Sequence, residues 1–428
     1  MPPRLRIAVL ETTWLRITLL VVLSCFGPSR VTFATPADDE SATDLAGRWE
    51  LSLVHDDATI RCGLELTKTG RKWTAMLING AERIPIEATV LPHFIELAIP
   101  HYDSVLELDV VRRREGKPIA NGSWRKRRGP DEWVQMSARA VHSPSLTKPS
   151  TPTAEQFAGR WSVQFSSSDD PAVGIFRQTP DGRLEGTFLT TTGDYRFLSG
   201  SAADGTMHLS CFDGAHAFAF EAKLIDDNSL EGDFWSANTW HETFTAKRND
   251  DAALPDSFRQ TLVNQSFKLA DFEFPDVDGR PVNLDAASFR GKPRLIYLFG
   301  SWCPNCHDAA VYLSELERKY ADRGLSILGL AFELTGTFER DAEQVRRYLK
   351  RHDCRYPVLI AGTADKDKAS RTFPLLDRVR SYPTTIFIDR AGKITAVHTG
   401  FSGPATGEDY RALKQRFERQ IDALLRNQ

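Results

Sequence analysis

The sequence predicts a multidomain chain: two duplicated antiparallel β units, each a sandwich or barrel, followed by an α/β domain. Three observations carry this. The 428 residues exceed the roughly 250–300 at which a single core stops growing. An Ala-Gly-Arg-Trp tetrad occurs twice in the first half. Near Leu262 the apolar pattern changes from a period of two to buried strands alternating with amphipathic helices.

Residues 1–37 read as a secretory signal. Arg4, Arg6 and Arg16 precede the uncharged run Ile17 to Phe26, and small residues follow at Ala34 and Ala37. A basic region, a short apolar region and a cleavable stretch make this pattern, with cleavage near Ala34 or Ala37. The apolar run is too short to span a bilayer as a helix. An uncleaved anchor is the plainer alternative. "VLSC", Val22 to Cys25, resembles a bacterial lipoprotein box, which would add acyl anchoring through Cys25, although Leu23 and Phe26 fit it poorly. The expected location is the periplasm or cell envelope.

The first β unit is expected over 44–141 and the second over 154–250. "DLAGRWELSLV" opens one and "QFAGRWSVQF" the other, placing Trp49 and Trp161 112 positions apart. A second echo, "ANGSWRKR" and "LEGDFWSA", places Gly122 and Gly232 110 apart. Two landmarks at nearly one offset argue for duplication. Alternating runs such as "FIELAI" and "HAFAFEAKL" give the strands, and "PDG" and "DDNS" the turns. The Pro/Ser/Thr stretch 142–153 reads as a linker. Arg112 to Arg114 and Arg125 to Arg128 are basic clusters. They suit an anion or lipid headgroup, or more plainly solvated strand ends. The tryptophans suit a core more than a pocket.

The α/β domain is expected over 262–428. "RLIYLF", Arg294 to Phe299, and "LSILGLAF", Leu325 to Phe332, are buried strands. A helix runs from about Pro304 to Tyr320, and "RDAEQVRRYLKRH" is amphipathic. "YPVLIAG" is a further strand, followed by a polar helix. "TTIFIDRAGKITAVHTG" is a hairpin, and Glu408 to Leu425 a closing helix. Helices on both faces of one sheet follow from this alternation.

Lys plus Arg number 54 against 57 Asp plus Glu, a net charge of -3. No nucleic-acid footprint results. Of six cysteines, only Cys303 and Cys306 form a close pair. Cys62, Cys211 and Cys354 read as small buried residues.

Cys303 stands at a helix cap and Cys306 one turn in, so their sulfurs share a face. Pro304 falls at the first helical position, where its missing N–H costs nothing. The helix N-terminus favours a thiolate at Cys303, the nucleophile. Cys306 lies on the face continued by Ala309, Ala310 and Leu313. A buried second thiol suits the resolving step. The C-x-x-C spacing alone is weak; after a buried strand and opening a helix it is strong.

"DGRPVNL", "GKPRLIYLFGSWCPNC", "SYPTTIFIDRAGKI" and "HTGFSG" make residues 265–428 resemble the TlpA-like thiol-disulfide oxidoreductases, redoxins of the thioredoxin fold. The resemblance implies an exported enzyme exchanging disulfides with protein thiols and reducing them with electrons from a membrane thiol donor. By position, Trp302 precedes the nucleophile, Cys303 attacks, Cys306 resolves and Pro383 is the cis-proline. An open backbone edge at Tyr382 would then pair with a client chain. No cofactor is expected. The β units have no counterpart in the minimal family domain and are candidates for holding a client or a cell-envelope component.

Two departures stand out. Tyr297 occupies the position of the buried Asp of thioredoxins. Ala309 and Val311 stand where the family often has Glu and Pro. Glu333 and Asp308 are candidate substitutes as proton acceptors, and a solvated loop Glu is the plainer reading of Glu333. Other chemistries stay open. The pair could hold zinc with His307, Cys354 or His398, or deliver copper. A thiol peroxidase would need Thr or Ser three residues before its cysteine, where Gly300 stands. The chain could also be chiefly a client-binding protein with an accessory redox domain.

Overall fold

The computed structural model describes residues 43–55, 58–112, 116–142 and 152–426. The expected signal with Cys25, most of the expected linker, and Arg113 and Arg114 lie outside them. His142 is the last residue of a strand and Pro152–Phe157 forms a 3-10 turn, so the joining stretch is shorter than its composition implied.

Both β units are closed barrels. In the first, β1 (Gly47–Val54), β2 (Thr59–Thr69), β3 (Lys72–Asn79), β4 (Glu82–Leu91), β5 (Phe94–Ile99), β6 (Ser104–Val111), β7 (Ile119–Arg127) and β8 (Trp133–His142) pair in sequence order, and β8 closes on β1. The second holds β9 (Gly159–Phe165), β10 (Pro171–Gln178), β11 (Leu184–Thr190), the two-residue β12 (Gly193–Asp194), β13 (Leu198–Ala203), β14 (Thr206–Phe212), β15 (Ala217–Asp226), β16 (Ser229–Ser236) and β17 (Trp240–Arg248). β17 closes on β9, and β12 hangs on β11. Closure removes the sheet edges that an open sandwich would leave.

The repeated tetrad does the same work twice. Gly47 and Gly159 both adopt a positive φ, 122° and 119°, which glycine tolerates without a Cβ penalty. Trp49 and Trp161 then plug their barrels fully buried, and each indole N–H donates at 3.0 Å to a carbonyl four residues earlier, Leu45 O and Phe157 O. Gly122 and Gly232 mark close strand approaches. A Cβ there would lie 1.9 Å from Glu107 O and 2.4 Å from Glu221 O.

The barrels pack through β2 and β14. Ser210 Oγ accepts from Arg61 N at 3.1 Å and donates to Arg61 O at 2.7 Å. Asn79 and Phe212 exchange two bonds of 3.0 Å. Cys62 and Cys211 are buried, each in the interior of its own barrel.

In the third domain, β18 (Glu273–Pro275) and β19 (Pro281–Asn283) form a small hairpin. The main sheet comprises β20 (Arg294–Phe299), β21 (Ser326–Glu333), β22 (Val358–Thr363), β23 (Thr384–Ile388) and β24 (Ile394–Thr399), in the order β22-β21-β20-β23-β24. β20, β21 and β22 are parallel; β23 runs against them, and β24, antiparallel to β23, returns in their direction. The helices are α1 (Pro304–Tyr320), α2 (Phe338–Arg351), α3 (Lys366–Thr372) and α4 (Glu408–Arg426). All six residues of β20 are buried, as a strand covered on both faces requires. Among the described residues no helix is long and apolar enough to cross a membrane.

Candidate active site

β20 delivers the chain to the C-terminal end of the sheet, and α1 starts there. Cys303 is the N-cap: its sulfur accepts the Cys306 N–H at 3.4 Å, and Pro304 is the first helical residue. One of the helix's free N–H groups is thereby satisfied by the nucleophile itself. Cys303 Sγ also lies 3.5 Å from Tyr382 O. The Tyr382-Pro383 peptide bond is cis. The four residues Cys303, Cys306, Tyr382 and Pro383 therefore meet at one point.

Cys306 is fully buried, while Cys303 keeps 7% exposure. Burial pushes the Cys306 thiol up, and the neighbouring Cys303 adds to this. The Tyr297 hydroxyl donates to Cys306 O at 2.8 Å. Tyr348 of α2 donates to the same carbonyl at 2.7 Å. A tyrosine thus occupies the position of the missing acid and fastens the first turn of α1.

Glu333 is not a solvated loop residue. It is 2% exposed and accepts from Ser301 N at 2.8 Å and Ser301 Oγ at 2.6 Å. Burial, opposed by these bonds, raises its carboxyl to about 7. Its observed partner is therefore the backbone two residues before Cys303. Trp302 Nε1 donates to Phe332 O at 2.9 Å, tying the same loop to β21. The indole meets Tyr382 edge-on at 5.7 Å. Asp308 is engaged elsewhere, by Arg196 of the second barrel.

His307 donates from Nε2 to Ser301 O at 2.7 Å, which leaves Nδ1 to accept from His352 at 2.6 Å. Among the described residues no group of three or more His, Cys, Asp or Glu side chains is placed to hold a metal ion.

The Tyr382 edge is not open. The second barrel covers it with the turn between β11 and β12. Ser381 Oγ donates to Thr192 O at 2.7 Å, and Asn305 Nδ2 donates to Asp194 O at 3.2 Å. Gly193 lies so close that a Cβ would stand 2.0 Å from Asn305 Nδ2. No motif in the sequence singles out "TTGDY"; only the docking of the barrel gives it a role.

Residues 263–413 match the Redoxin family model. This segment is a thioredoxin-fold redoxin. The model covers the third domain and neither barrel. The thioredoxin-like protein YneN of Bacillus subtilis is 27% identical over 144 residues, 34% of this chain and 76% of the relative. The thiol-disulfide oxidoreductase ResA of Bacillus thuringiensis is 28% identical over 123 residues, 29% of this chain and 62% of that protein. The chain thus spans less than two thirds of ResA. A solved thiol:disulfide interchange protein of Chlorobium tepidum is 25% identical over 36% of this chain and 92% of its own, with a TM-score of 0.28. The redoxin domain is similar in sequence to thiol-disulfide oxidoreductases.

Proposed function

We propose that the protein is an exported thiol-disulfide oxidoreductase that reduces protein disulfides through Cys303 and Cys306. The observation that carries this is the cap geometry: Cys303 at the start of α1, accepting the Cys306 N–H, with Cys306 buried beneath. The Cys303 thiolate attacks a client disulfide and forms a mixed disulfide. The departing client sulfur takes up a proton. Cys306, deprotonated, attacks Cys303 Sγ and expels the second client sulfur, which is also protonated. Two electrons and two protons pass to the client, and the enzyme keeps a Cys303–Cys306 disulfide. A membrane dithiol donor restores it. Pro383 and Trp302 shape the wall beside Cys303, and Glu333 holds the preceding loop. The β units present the client.

Equilibrating the full chain with glutathione or dithiothreitol, and following the Cys303–Cys306 peptide by mass, tests this. A potential near about −270 mV, like thioredoxin's, supports a reductase. A value toward about −120 mV makes it an oxidant and reverses the direction. A pair that never oxidises ends the redox reading.

A further inference from the structure

Beside the contacts that cover the Tyr382 edge, Cys303 borders a pocket. The pocket at Cys303 has a volume of 240 Å³, and Tyr195, His216, Phe218 and Trp302 line both it and a neighbouring cavity of 850 Å³. All three domains build that cavity. Lys126 and Arg128 come from the first barrel, Phe218 and Trp240 from the second, Trp302 and Asp365 from the redoxin domain.

Its acids and bases are not paired with one another. The acids are already engaged: Glu242 accepts from Ser167 N and Trp240 Nε1, and Asp365 caps α3 by accepting from Lys368 N. Arg127 is paired with Asp103. Lys126 Nζ meets a neutral partner, Ala215 O, at 3.0 Å. Arg128 forms no ion pair among the described residues, and neither does Lys366, which lines the Cys303 pocket. Three cations thus face this path with no direct ion-pair partner among the described residues, and Asp213 is near enough to Lys126 to favour its charged form. Trp240 adds an aromatic surface that is 51% exposed.

We propose that a client reaches Cys303 through this three-domain cleft, as an extended segment whose cysteine is flanked by carboxylate and aromatic side chains. The proposal rests on the dithiol reading above. A cavity of this size falls within the ~300–1,000 Å³ of ligand sites. It admits a few residues of extended chain and excludes a folded surface. Recognition then moves from backbone pairing at Tyr382 to side-chain contacts in the cleft. Carboxylates complement Lys126, Arg128 and Lys366, which steers encounter and discriminates between partners. Aromatic side chains stack against Trp240 and Trp302.

The test uses the pre-reduced full chain and two peptide disulfides, each a homodimer linked through one cysteine. Both carry Trp near the cysteine; one has Glu flanks and the other Lys flanks. The reaction converts the peptide disulfide to two thiols while Cys303 and Cys306 become a disulfide. We expect the Glu peptide to react about tenfold faster, a difference of about 1.4 kcal/mol, and the gap to narrow in about 0.5 M salt. In the double variant R128E/K366E the order should invert. Equal rates for the two peptides, or an unchanged preference in the double variant, overturn the proposal. Uncharged dipyridyl disulfide separates the two readings. If the wild-type chain reduces it yet treats both peptides alike, the cleft is refuted and the dithiol cycle stands. If the chain fails with it as well, both fall.

Discussion

Arg196 of the second barrel donates to Asp308, two residues past Cys306 on α1. The same guanidinium donates to Glu82 of the first barrel at 2.5 Å and lies 3.5 Å from Asp213 of the second. All four groups are largely or fully buried. One side chain therefore joins the three domains beside the redox helix. Removing one member of a buried ionic set leaves the others uncompensated, at a cost of about 3–5 kcal/mol. Arg196→Met should destabilise the chain by that order. It should also split a shared calorimetric transition into separate barrel and redoxin transitions. A single unshifted transition would show that Arg196 couples nothing.

Cys306 is fully buried beneath a Cys303 that keeps 7% exposure. Cys306→Ser should leave attack intact and abolish release, so that Cys303 accumulates as a mixed disulfide. Cys303→Ser should form none. Non-reducing gels of full-length variants offered a disulfide-bonded peptide decide the matter. Trapping through Cys306 in the Cys303→Ser variant would reverse the two roles.

The redox pair and its sheet were legible because the signals are local. A buried strand, a cap and a Pro before another strand each occupy a few consecutive residues. The barrels were legible as duplicated β units because Gly47 and Gly159 need a positive φ, and Trp49 and Trp161 a plug's volume. Whether the units were barrels or sandwiches was not, since alternation of faces is common to both. What remained hidden lies between domains. The Asn305–Asp194 and Arg196–Asp308 contacts join residues 111 and 112 positions apart, and no periodicity in one segment encodes its docking against another. Tyr348 escaped notice for a similar reason. In a helix pattern it reads as one more apolar position, yet its hydroxyl reaches Cys306 O.

Glu333 makes the chain less stable as pH rises. Its folded carboxyl titrates at about 7 against an ordinary 4.5. Between those values the folded chain holds a proton that the unfolded chain has lost. Stability therefore falls by about 1.4 kcal/mol per pH unit across that window from this group alone. Glu333→Gln keeps an oxygen for the Ser301 N–H and removes the titration. The drop in thermal midpoint between pH 5 and pH 8 should be smaller in the variant. Equal drops would mean that Glu333 is ionised in the fold at pH 5.

His101 acts in the opposite sense. It sits between Tyr102 and His307, with ring centroids 4.4 and 5.3 Å away. Burial, then Arg351 and His352, hold it down to about 3. The fold excludes a proton that the unfolded chain binds below about 6.5. Stability is lost as pH falls from 6.5 toward 3, by about 1.4 kcal/mol per unit for this histidine. His101→Phe should flatten the acid side of the stability profile. An acid limb as steep as the wild type's would place the titration in other groups.

Gly193 tests whether the second barrel restricts Cys303. The Gly193 α-hydrogen that a side chain would replace faces Asn305, and a methyl there would overlap Nδ2 at 2.0 Å. Asn305 sits between the two cysteines in the first turn of α1, so the displaced partner is either that side chain or the Thr192–Asp194 turn. The side chain is buried and bonded to Asp194 O. The turn is held to the redoxin domain through Thr192 O, Asp194 O and the Asp194 carboxylate, which accepts from Gly403 N at 2.6 Å. Both hold the same interface, so overlap at Gly193 strains it from within. Gly193→Ala should loosen the cover over Tyr382 and speed alkylation of Cys303 by iodoacetamide several-fold. Reduction of a folded protein disulfide such as insulin's should rise with it, because the backbone edge becomes available for pairing. If alkylation accelerates but insulin reduction does not, the edge is uncovered without serving clients. An alkylation rate equal to the wild type's would mean that the turn does not limit access to Cys303.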